Sequence, residues 1–142
     1  MLVSSIIKDS ATYKTFHKGE LIYSAGAKPM YYYEIKTGKV RMENTNSQVD
    51  DFNSNIYSDH YFFGVCSLLC GQPYPVNAFA HTDCELLILP RVYFLILLKN
   101  NFDFHLAITK SLSKELLGNA VCNNNIEEDL YGLLKMVYNS KV

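Results

Sequence analysis

The spacing of hydrophobic residues along the chain changes once, close to Pro90. Before this point, short apolar stretches alternate with turn residues such as Gly and Asn, a pattern that is typical of β-strands. After it, apolar residues recur at intervals of three and four, as they do along one face of a helix. The pattern therefore predicts a β-rich part over residues 1–100 and a helical part over residues 101–142.

Several short strands are predicted in the first part of the chain. Glu20–Ser24 is a strand candidate that ends before a turn at Gly26. Residues 31–42 alternate between apolar and polar positions on either side of a Thr37–Gly38 turn, which predicts a hairpin. Two further strands are predicted in the stretches VNAFAH and CELLILP. Many short strands separated by Gly and Asn turns indicate a mainly β fold with some α, for which a jelly-roll β-barrel, or double-stranded β-helix, is the best match.

Two helices are predicted after the strands. The first covers Arg91–Asn100, and the second begins near Asn101 and continues for about 35 residues. A helix of that length is about 50 Å long, which exceeds what a domain of this size can cover, so we expect it to pair with a second chain. The alternatives are a helix that lies along its own sheet and one interrupted at Gly118 or Cys122–Ile126. The predicted dimer seam consists of Leu112, Leu116, Asn119, Asn123, Ile126, Leu130, Leu133 and Val137.

Composition and charge place the chain among globular proteins. Hydrophobic residues make up 49% of it and charged residues 19%, and the formal net charge of −1 provides no general attraction for nucleic acid. The amino terminus lacks the long apolar region of a signal peptide, and apolar runs such as Tyr93–Leu98 are too short to span a membrane. We therefore expect a soluble, cytoplasmic protein that makes no membrane contact.

Residues that bind metals or perform catalysis are scattered along the chain. The histidines lie in separate segments and form no HxH or HxxxH pair. The chain also lacks a nucleophile elbow and a Walker-type phosphate loop. We therefore expect no metal site, no cofactor, no catalytic residue and no enzymatic activity. In the cytoplasm we expect reduced thiols at all four cysteines, of which only the first two are close in sequence: Cys66, Cys70, Cys84 and Cys122.

The order of these elements, and the residues that mark them, resemble a known family. The stretch FHKGELIYSAGAKPMYYYEIKTGKVRM contains a Gly-Glu pair, a second glycine and a Y-x-I-x-x-G-x-V motif, contributed by Gly19, Glu20, Gly26, Tyr33, Ile35, Gly38 and Val40. With the segment that follows, it resembles the cyclic-nucleotide-binding domain, and more specifically the effector domain of the catabolite-activator and fumarate–nitrate-reductase regulators of bacteria. The resemblance implies a jelly roll followed by a long C-terminal dimerisation helix that leads to a hinge.

The resemblance also implies the partners of this chain. Regulators of this family form homodimers through the long helix and bind DNA with a winged helix-turn-helix domain. This chain contains no helix-turn-helix pattern and ends about where the hinge to such a domain begins. We therefore expect a homodimer whose DNA contacts are made only through a domain absent from this chain. Truncation of a longer regulator is favoured over a stand-alone domain.

The segment from Phe62 to Leu98 resembles the phosphate-binding cassette of the family together with the elements that follow it. Members that bind cyclic AMP or cyclic GMP hold the ribose 2′-hydroxyl with a Glu directly after the Phe-Gly pair, and the cyclic phosphate with an Arg further along. These positions are Val65 and Tyr74 here, and no charged residue occurs from Phe62 to Ala80. Loss of the Arg–phosphate pair alone removes about 1.5–3 kcal/mol. We therefore expect the domain not to bind cyclic nucleotides in the usual way.

The cassette remains a candidate binding pocket with three open interpretations. It holds a more apolar small-molecule effector that the sequence does not identify. Alternatively, its own aromatic side chains fill it and the domain is a ligand-free dimerisation scaffold. As a third interpretation, it senses redox state or haem through a cysteine or a histidine. The candidate pocket consists of Phe63, Gly64, Val65, Cys66, Ser67, Tyr74, Pro75, Val76, Asn77, Asn119 and Asn123.

Overall fold

A computed structural model of the chain describes residues 8–44 and 56–122, with side chains as far as residue 118. Within these residues, strands β1–β8 comprise Thr12–Phe16, Leu21–Tyr23, Tyr31–Thr37, Val40–Glu43, Ile56–Tyr57, Phe62–Phe63, Asn77–Ala80 and Cys84–Pro90. Helices α1–α3 comprise Val65–Cys70, Arg91–Asn100 and Phe102–Cys122. The chain divides into two units between Asn101 and Phe102, so that all of the strands belong to the first unit and α3 to the second.

The strands form two antiparallel sheets of four strands each. The strand orders are β1-β8-β3-β6 in one sheet and β2-β7-β4-β5 in the other. Apart from the step from β4 to β5, each successive strand lies in the opposite sheet from the one before it. This repeated crossing between two facing sheets is the topology of a jelly roll, and the predicted fold class is therefore confirmed.

The hairpin predicted for residues 31–42 is wrong, although its turn is present. β3 pairs with β6 and β8, whereas β4 pairs with β5 and β7, so the two strands lie in different sheets. Tyr33 and Ile35 on β3 and Val40 on β4 nevertheless belong to one buried core. Alternation of apolar and polar residues shows which face of a strand is buried but not which strand it pairs with. A crossing between sheets therefore produces the same sequence pattern as a hairpin.

The core of the first unit lies between the inner faces of the two sheets. Ile35 of β3 is opposite Leu86 of β8 in one sheet, and Val40 of β4 is opposite Ala80 of β7 in the other. These four side chains and Ala78 are fully buried. Because β7 contributes small alanine side chains, the interior has room for large rings from its neighbours. The rings that belong to the same core are those of Phe16, Tyr23, Tyr33, Phe63 and Tyr74.

Helix α2 follows β8 directly and has the bounds that the sequence predicts, Arg91–Asn100. Phe94 is fully buried and stacks on Tyr32 of β3, with the ring centroids 5.1 Å apart. Leu97, one turn further along, is also buried. One face of α2 therefore packs in the first unit, while Val92 on another face is 58% exposed.

Helix α3 is the described part of the predicted long helix. It continues through Gly118, so this glycine does not interrupt it. Leu116 and Leu117 are 43% and 53% exposed in the single chain. The side chain of Asn119 and the seam positions from Asn123 onward lie outside the described residues, so this part of the predicted seam stays a prediction. Within the described part of the chain, no helix has the length and apolar character needed to cross a membrane.

Candidate functional site

Helix α1 is the short helix of the cassette, and a glycine lies at each of its ends. Gly64 precedes it with φ 73° and Gly71 follows it with φ 66°, a left-handed conformation that glycine adopts without steric cost. The Gly71 N–H donates a hydrogen bond to the carbonyl oxygen of Ser67, as expected at the end of a helix. Val65 and Leu68 are buried. The helix is therefore confined to six residues and turns one face into the core.

Arg91, the first residue of α2, connects α1 to the rest of the domain. Its Nε–H donates to the carbonyl oxygen of Leu68 at 2.8 Å, and its backbone N–H donates to the carbonyl oxygen of Met30 at 3.0 Å. A cationic donor suits the carboxyl end of a helix, where carbonyl groups lack intrahelical partners. Arg91 therefore holds α1 in place relative to α2 and to the start of β3.

Backbone hydrogen bonds fix the position of Tyr74, the residue that the family resemblance aligns with the phosphate-binding arginine. The Gly26 N–H donates to the carbonyl oxygen of Tyr74 at 2.8 Å, and the Tyr74 N–H donates to the carbonyl oxygen of Ala27 at 3.0 Å. Nearby, Oδ1 of Asn77 accepts a hydrogen bond from the Ala25 N–H at 2.7 Å. The turn between β2 and β3 thus anchors the segment before β7 while the Tyr74 side chain is buried.

The Tyr74 ring lies in a group of four rings, which we call the aromatic cluster: Tyr23, Tyr33, Phe63 and Tyr74. Tyr74 stacks on Tyr23 with the ring centroids 3.6 Å apart and the ring planes 8° from parallel. Tyr33 stacks on Phe63 at 5.3 Å, and the centroids of Tyr23 and Tyr33 are 5.9 Å apart. None of the four side chains is more than 8% exposed. Burial of each large side chain stabilises the fold by about 1.5–3 kcal/mol, so the aromatic cluster is a substantial part of the core.

Gly64 lies against two rings of the aromatic cluster. A Cβ atom at this position would be 3.1 Å from the hydroxyl oxygen of Tyr23 and 3.1 Å from Cε1 of Tyr74. A glycine at the start of the cassette helix allows the backbone N–H groups to approach a phosphate closely. In this chain the side chains of Tyr23 and Tyr74 occupy the space beside Gly64. The groups that approach the Gly64 backbone closely are therefore these two tyrosine rings.

The polar atoms of the aromatic cluster are tyrosine hydroxyl groups. The Tyr23 hydroxyl donates to Sδ of Met42 at 3.5 Å, whereas the buried Tyr74 hydroxyl has no hydrogen-bond partner among the described residues. Burial raises the pKa of Tyr23 and of Tyr74 far above the ordinary value, and neighbouring phenol groups raise it further. Burial likewise raises the pKa of Tyr33. The aromatic cluster is therefore uncharged and offers no cation to a phosphate.

The predicted pocket residues fall into groups that differ in exposure. Phe63, Val65, Ser67 and Tyr74 are buried. The side chain of Cys66 and that of Pro75 are exposed, and intermediate exposure is found at Gly64, Val76 and Asn77. The side chains of Asn119 and Asn123 lie outside the described residues. The four buried residues therefore form the inner wall of the cassette.

Tyr23 and Tyr33 are not among the residues predicted to form the candidate pocket. Both residues lie on predicted strands, but a position on a strand does not indicate which rings a side chain contacts. The contacts arise because β2 and β3, in opposite sheets, both point large side chains into the interior beside the cassette.

The fold and the cassette together are those of a cyclic-nucleotide-binding domain. Residues 13–101 match the family described as "Cyclic nucleotide-binding domain". This match covers more than half of the chain, and the chain belongs to this family.

Solved structures of similar fold include the sensor domain of the transcriptional regulator DNR from Pseudomonas aeruginosa. It has a TM-score of 0.64 and 17% identity, over 83% of this chain and 79% of that chain. The catabolite activator protein of Thermus thermophilus has a TM-score of 0.61 and 22% identity, over 92% of this chain and 59% of that chain. A Haemophilus influenzae protein described as "Uncharacterized protein" is 27% identical over 104 residues, which are 73% of this chain and 81% of that protein. The two structural likenesses support the fold.

Proposed function

We propose that this chain is the sensory and dimerisation domain of a cytoplasmic transcription regulator of the catabolite-activator type, and that its cassette does not bind cyclic AMP or cyclic GMP. The observation that carries the proposal is the buried ring of Tyr74, stacked on Tyr23, at the position of the family's phosphate-binding arginine. Family membership supports a regulatory binding role rather than an enzymatic one. The likeness to the sensor domain of a transcriptional regulator favours transcription as the regulated process.

Three effects oppose the binding of a cyclic nucleotide. Without the arginine, a charge-assisted interaction of about 1.5–3 kcal/mol with the phosphate is missing. Val65 offers no acceptor for the ribose 2′-hydroxyl, because its side chain is apolar. The ligand would also have to displace the Tyr74 ring from its stacked position, at a cost of about 1.5–3 kcal/mol for the exposure of one large side chain. At 1.4 kcal/mol per factor of ten, these losses together weaken binding by several powers of ten.

Calorimetric titration of the purified chain with cyclic AMP and with cyclic GMP tests this proposal. We expect no saturable heat at nucleotide concentrations up to the millimolar range. A cyclic-AMP-responsive family member titrated under the same conditions provides the positive control. Saturable binding of either nucleotide with a micromolar dissociation constant would contradict the proposal.

A ligand-free dimerisation scaffold is the second candidate function. The aromatic cluster favours a scaffold, because the rings that close the cassette are side chains of the chain's own hydrophobic core rather than a bound ligand. A sensor and a scaffold both lack cyclic nucleotide binding, so the calorimetric result does not separate them. They differ in whether some other chemical input binds the cassette.

Both candidate functions require a homodimer through α3. Within the single chain, Leu116 is 43% exposed on this helix, as expected for a residue that packs against a second copy. Replacing Leu116 with Glu places a carboxylate in each half of a symmetric seam, where neither carboxylate has a partner. We expect the dimer dissociation constant to rise by about 100-fold, which corresponds to about 2.7 kcal/mol.

Sedimentation equilibrium measures this dimer prediction, and Lys114→Glu is the matched control. Lys114 lies two residues before Leu116 and therefore about 200° away around the helix axis. The control introduces the same carboxylate on the opposite side of α3 and is expected to change the dissociation constant by less than about threefold, because surface charges contribute little. Equal effects of the two variants, or a wild-type chain that stays monomeric, would exclude this seam.

A further inference from the structure

Two cysteines lie on the outer face of the cassette helix. Cys66 and Cys70 are both exposed, whereas Cys84 is buried. They are four residues apart within α1, and residues at this spacing lie on the same face of a helix. Val65 and Leu68 turn the other face of α1 into the core. The cassette thus has an apolar inner face closed by the aromatic cluster and an outer face that presents two thiols side by side.

The geometry of α1 does not suit a disulfide between these thiols. Cβ atoms four residues apart on a helix are separated by about 5–6 Å, whereas a disulfide requires about 3.5–4.5 Å. Closing the bond would distort α1. A metal ion bridges a longer distance, because two metal–sulfur bonds of about 2.3 Å each separate the sulfur atoms by up to about 4.6 Å. The spacing therefore favours two sulfur ligands on one ion.

The position of α1 is fixed before any ion binds. The left-handed glycines Gly64 and Gly71 confine the helix at its two ends. The Nε–H of Arg91 holds the carbonyl oxygen of Leu68, which lies between the two cysteines in sequence. A fixed backbone lowers the entropic cost of bringing two thiols to one ion, because only the short cysteine side chains have to be ordered.

The ligand set indicates which class of ion fits. Among the described residues, no group of three or more His, Cys, Asp or Glu side chains is arranged to hold a metal ion. A structural zinc site requires four such ligands, so the outer face of α1 does not suit zinc. Thiolate ligands select soft ions such as Cu(I), which is stable with two sulfur ligands.

We propose that Cys66 and Cys70 bind one two-coordinate thiophilic cation, of which Cu(I) is the representative, on the outer face of the cassette helix. Each thiol releases its proton to solvent and donates one sulfur electron pair to the ion, and no atom changes its oxidation state. A regulatory role for this site rests on the proposed function. In a sensor domain that does not bind cyclic nucleotides, binding of the cation at α1 would be the signal instead. The binding chemistry itself depends only on the two thiols.

The test is an anaerobic Cu(I) titration of the reduced chain, with bathocuproine disulfonate as the competing chelator. We expect one Cu(I) per chain. Cys66→Ser and Cys70→Ser are each expected to weaken binding by about 10²–10⁴-fold, since the second sulfur no longer binds intramolecularly. The Cys84→Ala/Cys122→Ser variant retains only the proposed pair and should bind as the wild type does. Zn(II), titrated in the same way, should bind the wild-type chain at least 100-fold more weakly than Cu(I) does. Its affinity should be about that with which the Cys66→Ser and Cys70→Ser variants bind Cu(I).

Several outcomes overturn the proposal. Unchanged Cu(I) affinity in the Cys66→Ser/Cys70→Ser variant would place the ion elsewhere, and loss of binding in the variant that retains only the pair would do the same. Circular dichroism of each variant checks the fold, which exposed cysteine-to-serine changes should leave intact. Failure here is distinguishable from failure of the proposed function: absence of Cu(I) binding removes this input only, whereas cyclic nucleotide binding would overturn the closed cassette and leave the Cu(I) result standing.

Discussion

Replacing Tyr74 with alanine is expected to lower the free energy of unfolding by about 3–5 kcal/mol, the range for removing a large buried ring. The Tyr74 side chain is 4% exposed and stacks on Tyr23 at 3.6 Å, so its removal loses these contacts and leaves a cavity beside Gly64. The backbone hydrogen bonds to Gly26 and Ala27 do not involve the side chain, so the segment has little freedom to collapse into the cavity. Urea unfolding followed by far-ultraviolet circular dichroism measures the loss.

The matched variant Tyr74→Phe keeps the ring and removes the hydroxyl group. Because this hydroxyl is buried without a hydrogen-bond partner among the described residues, its removal is expected to raise the free energy of unfolding by about 1 kcal/mol. A loss in Tyr74→Phe as large as that in Tyr74→Ala would show that the hydroxyl, not the ring, stabilises the site. Two variants as stable as the wild type would show that Tyr74 is not a core residue.

The Tyr74→Ala variant also separates the effect of the Tyr74 ring on cyclic nucleotide binding from the effects of the two missing polar partners. It opens space beside Gly64 but introduces no cation, and Val65 still provides no acceptor for the ribose. If the missing charge dominates, cyclic AMP remains without saturable binding in this variant. Measurable binding would show instead that the ring alone closes the cassette.

Local patterns in the sequence predict the fold because a jelly roll is built from short strands that each bury one face. The apolar stretches before Pro90 and the change of period after it place β2, β3, β4, β7, β8 and α2 close to their observed bounds, whereas the short strands β1, β5 and β6 were not predicted. Strand pairing is different, since it depends on how the chain crosses between sheets. The turn at Gly38 therefore resembled a hairpin in the sequence but joins two sheets in the structure.

The candidate site was only partly predictable for a related reason. The family resemblance aligns Val65 and Tyr74 with the charged residues that hold a cyclic nucleotide, which predicts weak nucleotide binding. It does not show what fills the space that remains. The space is filled because Tyr74 stacks on Tyr23. These residues are far apart in the chain, so the spacing of residues in the sequence does not predict their contact. The outward direction of Cys66 likewise follows from the burial of its neighbour Val65, which only the packed helix reveals.

Two glycines that look equivalent in the sequence differ in their surroundings. Gly26 and Gly38 both lie in turns and both have positive φ, 86° and 98°. A Cβ atom at Gly26 would meet nothing within 4 Å. At Gly38 it would overlap the carbonyl oxygen of Asp83 and lie 2.5 Å from Cβ of Cys84. Gly38 is therefore required both by its conformation and by the close packing of its turn against the start of β8.

Replacing Gly38 with alanine is consequently expected to lower the free energy of unfolding by about 3–4 kcal/mol. Of this, about 1–2 kcal/mol arises from the left-handed conformation, and the remainder from overpacking against the backbone of Asp83 and Cys84, which typically costs about 1–3 kcal/mol. The Gly26→Ala control has only the conformational cost, about 1–2 kcal/mol. Urea unfolding of both variants at equal m-values isolates the packing contribution as the difference between them. Equal losses in the two variants would mean that the turn at Gly38 shifts away from β8 at no cost, and that the close crossing between the two sheets does not constrain this position.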